Sequence, residues 1–215
     1  MMIPYLVPEM SHEQQEALKQ NVKAPLVYSK VVIRNWQPFI KLGVHEIYSP
    51  AAPYSRVKLD YPVSMGGYQH PRDPDRPIGL HMVYVPTLPG SGLSPREQSR
   101  KGRALLLGTP FEVHEQMIRE QLQGMLGDAG FDHQRDIQAI TVNRWSHGYS
   151  YFLNGLFDDE DEAKKIIETA RQPIGKIVIA NSDADWSPYA NSAIDQAWRA
   201  VNELAYGKVA AKEGA

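Results

Sequence analysis

The sequence predicts an α+β fold, with helices at both ends and a sheet-rich middle. Three observations predict it. Pro25–Arg34 is an apolar run rich in β-branched residues, and residues 38–100 are dense in Pro, Gly and Tyr around two further strand-like runs. Segments of helical period flank this middle, and two of them open on capping signals.

The elements follow in order. Ser11-His12-Glu13-Gln14 reads as a capping box that starts a short helix through about Lys19. Pro25–Arg34 is the first strand, and Ser55–Tyr61 and Ile78–Val85 are the next candidates, separated by the turn-rich His70–Pro77. Thr109-Pro110-Phe111-Glu112 combines a capping threonine, a proline at the first helical position and a capping glutamate. The helix it opens carries Val113, Met117, Leu122 and Met125/Leu126 on one side and stops at Gly127. Ile137–Val142 leads as a strand into Asn143-Arg144-Trp145, and the acidic run Asp158–Glu162 reads as a solvated loop and helix start. A short apolar strand, Ile177–Ala180, then runs into Asn181-Ser182-Asp183, the aromatic turn Asp185–Tyr189 and a helix over Ala193–Val201. Lys208–Ala215 looks frayed.

Composition excludes several classes. A chain of 215 residues buries about 70% of its unfolded surface and makes one sizeable domain or two small ones. A net charge of -2 gives no electrostatic reason to bind nucleic acid. No window approaches the roughly 20 apolar residues of a membrane span, and the N-terminus lacks the features of a signal peptide. With no cysteine there is no disulfide, thiolate metal site or cysteine nucleophile. His70, His81, His114 and His147 show no metal-ligand spacing, so no metal is expected.

The C-terminal layout can place a carboxylate and a helix N-terminus at one point, which suits an electron-rich or anionic ligand group. Alternation puts Lys30 on one face of its strand with Leu26, Tyr28 and Val32, where a lysine is ordinarily an exposed residue or an edge guard. If Asn143–Tyr151 is extended, His147, Tyr149 and Tyr151 share a face.

Three segments together resemble the flavin-dependent amine oxidases: Tyr28-Ser29-Lys30-Val31-Val32-Ile33-Arg34 with Trp36 and Phe39; Asn143–Tyr151; and Ala180–Asp183 with Trp186-Ser187-Pro188-Tyr189, Ala193-Ile194 and Arg199-Ala200. Leu59–Pro62, Gly66–Tyr68 and Leu80-His81-Met82 look most like the spermidine dehydrogenase-type members. The resemblance implies that Lys30 holds a water against flavin N5. Tyr189 would be one wall of an aromatic cage, with Tyr149 or Tyr151 as the other, and Trp145 would line the flavin. Asp183 and Ser182 would bind the flavin side chain, with Asp183 accepting from ribityl hydroxyls, and the amides near Ala190 and Asn191 would bond the ring. In this sequence Asn181 replaces the family's usual glycine.

A G-x-G-x-x-G turn is missing, since Gly90-Ser91-Gly92 runs into Leu93-Ser94-Pro95-Arg96. The resemblance therefore implies a C-terminal portion of such an enzyme. Residues 1–140 would be a substrate-binding portion with a mixed sheet. Residues 141–215 would hold the last strand and helix of a Rossmann-like FAD-binding half. FAD would be shared with a Rossmann-containing partner chain, and Met1-Met2 suggests a separate open reading frame. The implied reaction is oxidation of an amine, a polyamine such as spermidine, by hydride transfer to flavin N5. An amino-acid oxidase-type subunit and a non-catalytic scaffold subunit are the alternatives. Some spermidine dehydrogenases carry haem, but no residue here identifies an axial ligand. The expected location is cytoplasmic, or periplasmic if an exported partner carries the chain.

Overall fold

The structure is a computed structural model that describes residues 2–207, so the expected frayed end at Lys208–Ala215 lies outside the described residues, as does Met1. The helices and strands run α1 (Ile3–Leu6), α2 (His12–Gln20), β1 (Lys23–Ile33), α3 (Gln37–Leu42), β2 (Glu46–Tyr48), β3 (Arg56–Leu59), β4 (Ile78–Tyr84), α4 (Pro95–Gly108), α5 (Phe111–Leu126), α6 (His133–Asp136), β5 (Ile137–Ser150), α7 (Glu160–Ala170) and α8 (Ala190–Tyr206). The fold is α+β, with one five-stranded sheet in the order β2-β3-β4-β1-β5.

The sheet is antiparallel, which corrects the mixed sheet expected from sequence. β1 pairs β4, β4 pairs β3 and β3 pairs β2 in antiparallel register. At the other edge, the Arg34 amide donates to Asp136 O and the Tyr151 amide to Val22 O. The end of β1 thus meets the start of β5, and the reverse.

The described residues fall into two compact units. One comprises residues 25–91 and 101–147 and holds most of the sheet. Its core face carries Val27, Val31 and Ile33 of β1, Leu80 and Met82 of β4 and Val57 of β3, packed with Leu106 of α4 and Ile118, Leu122 and Leu126 of α5. Each such side chain contributes about 1.5–3 kcal/mol by leaving water. Gly102 is required where α4 approaches the backbone, because a Cβ there would lie 2.2 Å from Pro86 O. The α5 stripe is His114, Ile118, Leu122 and Leu126, one position on from part of the face expected, and Val113 is exposed.

Its helix start also differs. Pro110, in extended conformation, precedes the first turn, while Thr109 Oγ1 donates back to Leu105 O at 2.7 Å and closes α4. α4 itself, a helix not among those expected, opens on a reciprocal capping box at Ser94 and Glu97.

The other unit comprises residues 2–24, 92–100 and 148–207. Ser11 caps α2 by accepting from the Gln14 amide, as expected, but the Gln14 side chain turns inward and donates to Ala170 O and Gln172 O. Ala17 and Leu18 of α2 pack on Ala170 of α7, and a second cluster joins Tyr151, Ala163, Ile167 and Trp186. Asp159 caps α7, so the acidic run does start a helix, but Asp158 is buried rather than solvated. The last strand expected at Ile177–Ala180 does not form. Ile174 and Ile177 make one isolated bridge, and among the described residues no neighbouring strand offers residues 178–180 a ladder. The 140/141 division expected from sequence falls inside β5.

Candidate functional site

On the sheet face away from the α4 and α5 packing, one row of side chains crosses four strands. Lys30 of β1 stands opposite His81 of β4, His81 opposite Lys58 of β3, and Lys58 opposite Glu46 of β2. Lys30 Nζ donates to Asp60 Oδ2 at 2.6 Å. Burial works against ionisation of Asp60, yet the Lys30 hydrogen bond and charge outweigh it and hold the carboxyl below its usual range. His81 lies beside the Tyr28 ring at 5.0 Å. Burial, followed by the positive charge of Lys30, favours its neutral imidazole. Lys30 is thus on the expected face, half-exposed, with an acid partner that alternation could not reveal. Trp145, on β5 of the same unit, is exposed.

The other unit gathers the C-terminal candidates. A short 3₁₀ turn over Ser182–Asp185 begins at Asn181, whose φ of 82° and ψ of 160° belong to glycine's territory. This is where the amine-oxidase resemblance has glycine. Asp183 is gripped from two sides: Lys23 Nζ donates to Oδ1, and Asn21 Nδ2 donates to the backbone oxygen at 2.6 Å. Asp183 Oδ2 has no hydrogen bond among the described residues, and Asn21 Oδ1 is buried without a partner. Both residues line a cavity of about 260 Å³, together with Arg171, Asn181 and Trp186. Two open acceptors at one small cavity suit a ligand rich in hydrogen-bond donors. Asn21, Lys23 and Arg171 were not legible as site residues, since each lies outside the motifs and meets the turn only in the fold.

Trp186 is buried in a left-handed backbone conformation at φ 47°. It packs edge-on to Tyr151, with ring centres 6.2 Å apart, and the Arg96 guanidinium lies over both rings. Tyr151 is buried too, and its hydroxyl donates to Asp158 Oδ2 at 2.6 Å. Burial, reinforced by that carboxylate, pushes the phenol up to about 12. Tyr149 is half exposed, so of the two candidate tyrosines it presents the more accessible ring. Tyr189 is 59% exposed, sits immediately before α8 and meets Phe152 edge-on at 6.4 Å. The amides of Ala190 and Asn191 belong to the first turn of α8, where no intrahelical carbonyl is available to them.

Ser182, Asp183, Tyr189, Ala190 and Asn191 therefore follow one another through a single turn and helix start, with Tyr149 and Tyr151 in the same unit. Lys30 and Trp145 belong to the other. Among the described residues no group of three or more His, Asp or Glu is placed to hold a metal. None of the described helices is long and apolar enough to cross a membrane.

No protein-family model matches the sequence, and no curated protein does. Solved structures do. A putrescine oxidase variant made to redesign cofactor binding superposes with a TM-score of 0.56 at 13% identity. The wild-type enzyme bound to putrescine gives 0.54 at 14%, and a triple mutant 0.55 at 14%. The fold is that of part of a putrescine oxidase chain. The match covers 92% of this chain but only 39% of each neighbour, so the chain spans well under half their length.

Proposed function

We propose that this chain is one component of a flavin-dependent amine-oxidising enzyme, its FAD shared with a Rossmann-containing partner chain and its substrate a small amine such as a polyamine. The observation that carries the reading is the turn from Asn181 to Asn191. It combines a glycine-type backbone, two open acceptors at Asp183 and Asn21, and free amides at the start of a 17-residue helix. The likeness to putrescine oxidases supports the same reading.

Bound FAD would supply the two-electron acceptor. The chain's own residues would do the rest. Asp183, with Ser182 beside it, accepts from ribityl hydroxyls, while the amides of Ala190 and Asn191 donate to a ring oxygen and favour negative charge there. Tyr189 and Tyr149 present aromatic faces that favour an amine cation through apolar packing and cation–π attraction. Lys30 holds a water for proton transfer, with Asp60 fixing its ammonium. Trp145 offers an exposed ring for stacking.

The partner chain is supported by α8. Ile194, Trp198, Val201 and Leu204 form an apolar stripe, each more than half exposed, along the helix that follows the turn. Such a stripe ordinarily marks an interface.

The test is co-purification from cells expressing the neighbouring chains, read by absorbance and by FAD titration. The complex should be yellow and should contain a G-x-G-x-x-G chain. Trp198→Glu should release the partner, and Asp183→Ala should weaken FAD binding by about one to two orders of magnitude, as expected for a lost charged acceptor. A colourless complex would make the chain a scaffold. A lone chain that binds FAD stoichiometrically would refute the sharing.

A further inference from the structure

Asn21-Val22-Lys23, the link from α2 into β1, meets the turn that carries Asp183 at two points. Asn21 Nδ2 donates to the Asp183 backbone oxygen at 2.6 Å, and Lys23 Nζ donates to Asp183 Oδ1. Between them Val22, only 3% exposed, accepts at its carbonyl from the Tyr151 amide at 2.9 Å. The backbone amide of Asn21 donates to Leu18 O and closes α2. All of these contacts lie within the unit of residues 2–24, 92–100 and 148–207. The link is therefore anchored on both sides, as a supporting element must be if it is to fix a neighbour's geometry.

The turn does not keep its shape by local preference. Asn181 and Trp186 have φ of 82° and 47°, and such conformations persist only where surrounding contacts over-determine them. The bonds from Asn21 and Lys23 are contacts of that kind, one to the backbone of the turn and one to its carboxylate. The Asp183 carbonyl only accepts, so the Asn21 amide nitrogen must face it, which leaves Asn21 Oδ1 buried without a partner. A buried unpaired acceptor works against stability, so the grip on Asp183 is kept at the fold's expense. The Lys23 and Asp183 side chains are 25% and 27% exposed, and their pair is screened less than one in open solvent. With Oδ1 tied to Lys23 the carboxylate cannot turn freely, and Oδ2 is the oxygen left for a ligand. We propose that Asn21 and Lys23 are positioning residues for the Asp183 carboxylate, acting through it on the binding of a flavin. Their role rests on the reading of Asp183 as an acceptor for ribityl hydroxyls, and it requires neither residue to touch the flavin.

The experiment titrates FAD into the apo-complex of the co-purified chains. Independently of activity, it follows hydrogen exchange in the full chain at Ala184 and Trp186, whose amides bond within the turn. Lys23→Met should weaken FAD binding about tenfold, and Lys23→Arg, which keeps the charge and a donor, should retain most of the affinity. In an Asp183→Ala background Lys23→Met should cost nothing further, because no carboxylate remains to be positioned. Exchange at Ala184 and Trp186 should quicken at least about threefold in Lys23→Met and in Asn21→Leu. Should Lys23→Met fail to fold, Asn21→Leu takes its place in both measurements. An affinity unchanged by Lys23→Met but lowered by Asp183→Ala overturns the positioning role and leaves the flavin reading standing. An affinity unchanged by either substitution overturns both. An equal loss with and without Asp183, or unaltered exchange in the turn, also overturns the positioning role.

Discussion

Lys30 illustrates how a single charged side chain is used on a half-covered sheet. Its strand alternates, so Val31 and its odd-numbered neighbours enter the core while Lys30 stays on the other face, tied to Asp60. That ion pair alone is a modest asset, since both partners are over a third exposed and solvent screens them. If Lys30 also holds a water for proton transfer, Lys30→Met in the assembled enzyme should slow flavin reoxidation or proton-coupled steps at least about tenfold, roughly 1.4 kcal/mol of barrier, with flavin content almost unchanged. Stopped-flow measurement of both half-reactions checks this, and unaltered rates would leave Lys30 to its pairing with Asp60. The face Lys30 occupies was legible because a strand has a period of two. Its partner was not, because Asp60 lies 30 residues away just beyond β3. The choice between Tyr149 and Tyr151 was likewise hidden in the sequence. Both alternate onto one side, and only the packing of Trp186, Arg96 and Asp158 buries one and leaves the other open.

At the scale of elements, the turn from Asn181 to Trp186 stores strain at both ends. Asn181 adopts a conformation natural to glycine, and Trp186 a left-handed one. Such positions cost of order 1–3 kcal/mol each. Asn181→Gly removes the steric part but adds backbone entropy of roughly 0.5–1 kcal/mol, and it forfeits the hydrogen bond from Ser182 N to Asn181 Oδ1. A net gain of about 1 kcal/mol is expected in denaturant unfolding. A loss would mean that the Asn181 side chain, not relief of its backbone, sets the local energy. The aromatic turn was legible in the sequence, but the glycine-type backbone at Asn181 was not, because asparagine itself gives no sign of it. The helices were legible where capping chemistry was read, as at Ser11. α4 shows what happens where it was not, although Ser94-Pro95-Arg96-Glu97 carries the same box. Ile177–Ala180 failed for the opposite reason. Its apolar run has strand composition, but a strand exists only where another strand supplies its hydrogen bonds.

For the molecule as a whole, ionisation predicts a stability plateau bounded on both sides. His81 and His114 are held below the usual histidine value of 6.5, first by burial and then by the Lys30 and Arg144 charges respectively. The folded chain therefore binds fewer protons than the unfolded chain, and stability falls as pH drops below about 6.5. Asp60 and Asp158, whose carboxylates are favoured despite burial by Lys30 and by Tyr151 and Arg96, extend that loss further into acid. At the alkaline end Tyr54 and Tyr151 are raised to about 12, so their contribution is complete below about 10 and disappears as pH climbs through 12. Urea midpoints should decline from pH 7 to 5 and again above 10. A midpoint that rises between pH 7 and 5 would contradict these protonation states. The arrangement of the two units along the chain carries one more consequence, for the order of events during synthesis. The sheet-bearing unit closes by residue 147, but the other joins α2 to residues translated far later: Gln14 to Ala170, Asn21 and Lys23 to Asp183. During translation residues 2–24 would remain without these partners until synthesis has passed Trp186, leaving Leu18 and Met10 open to chaperones for that interval.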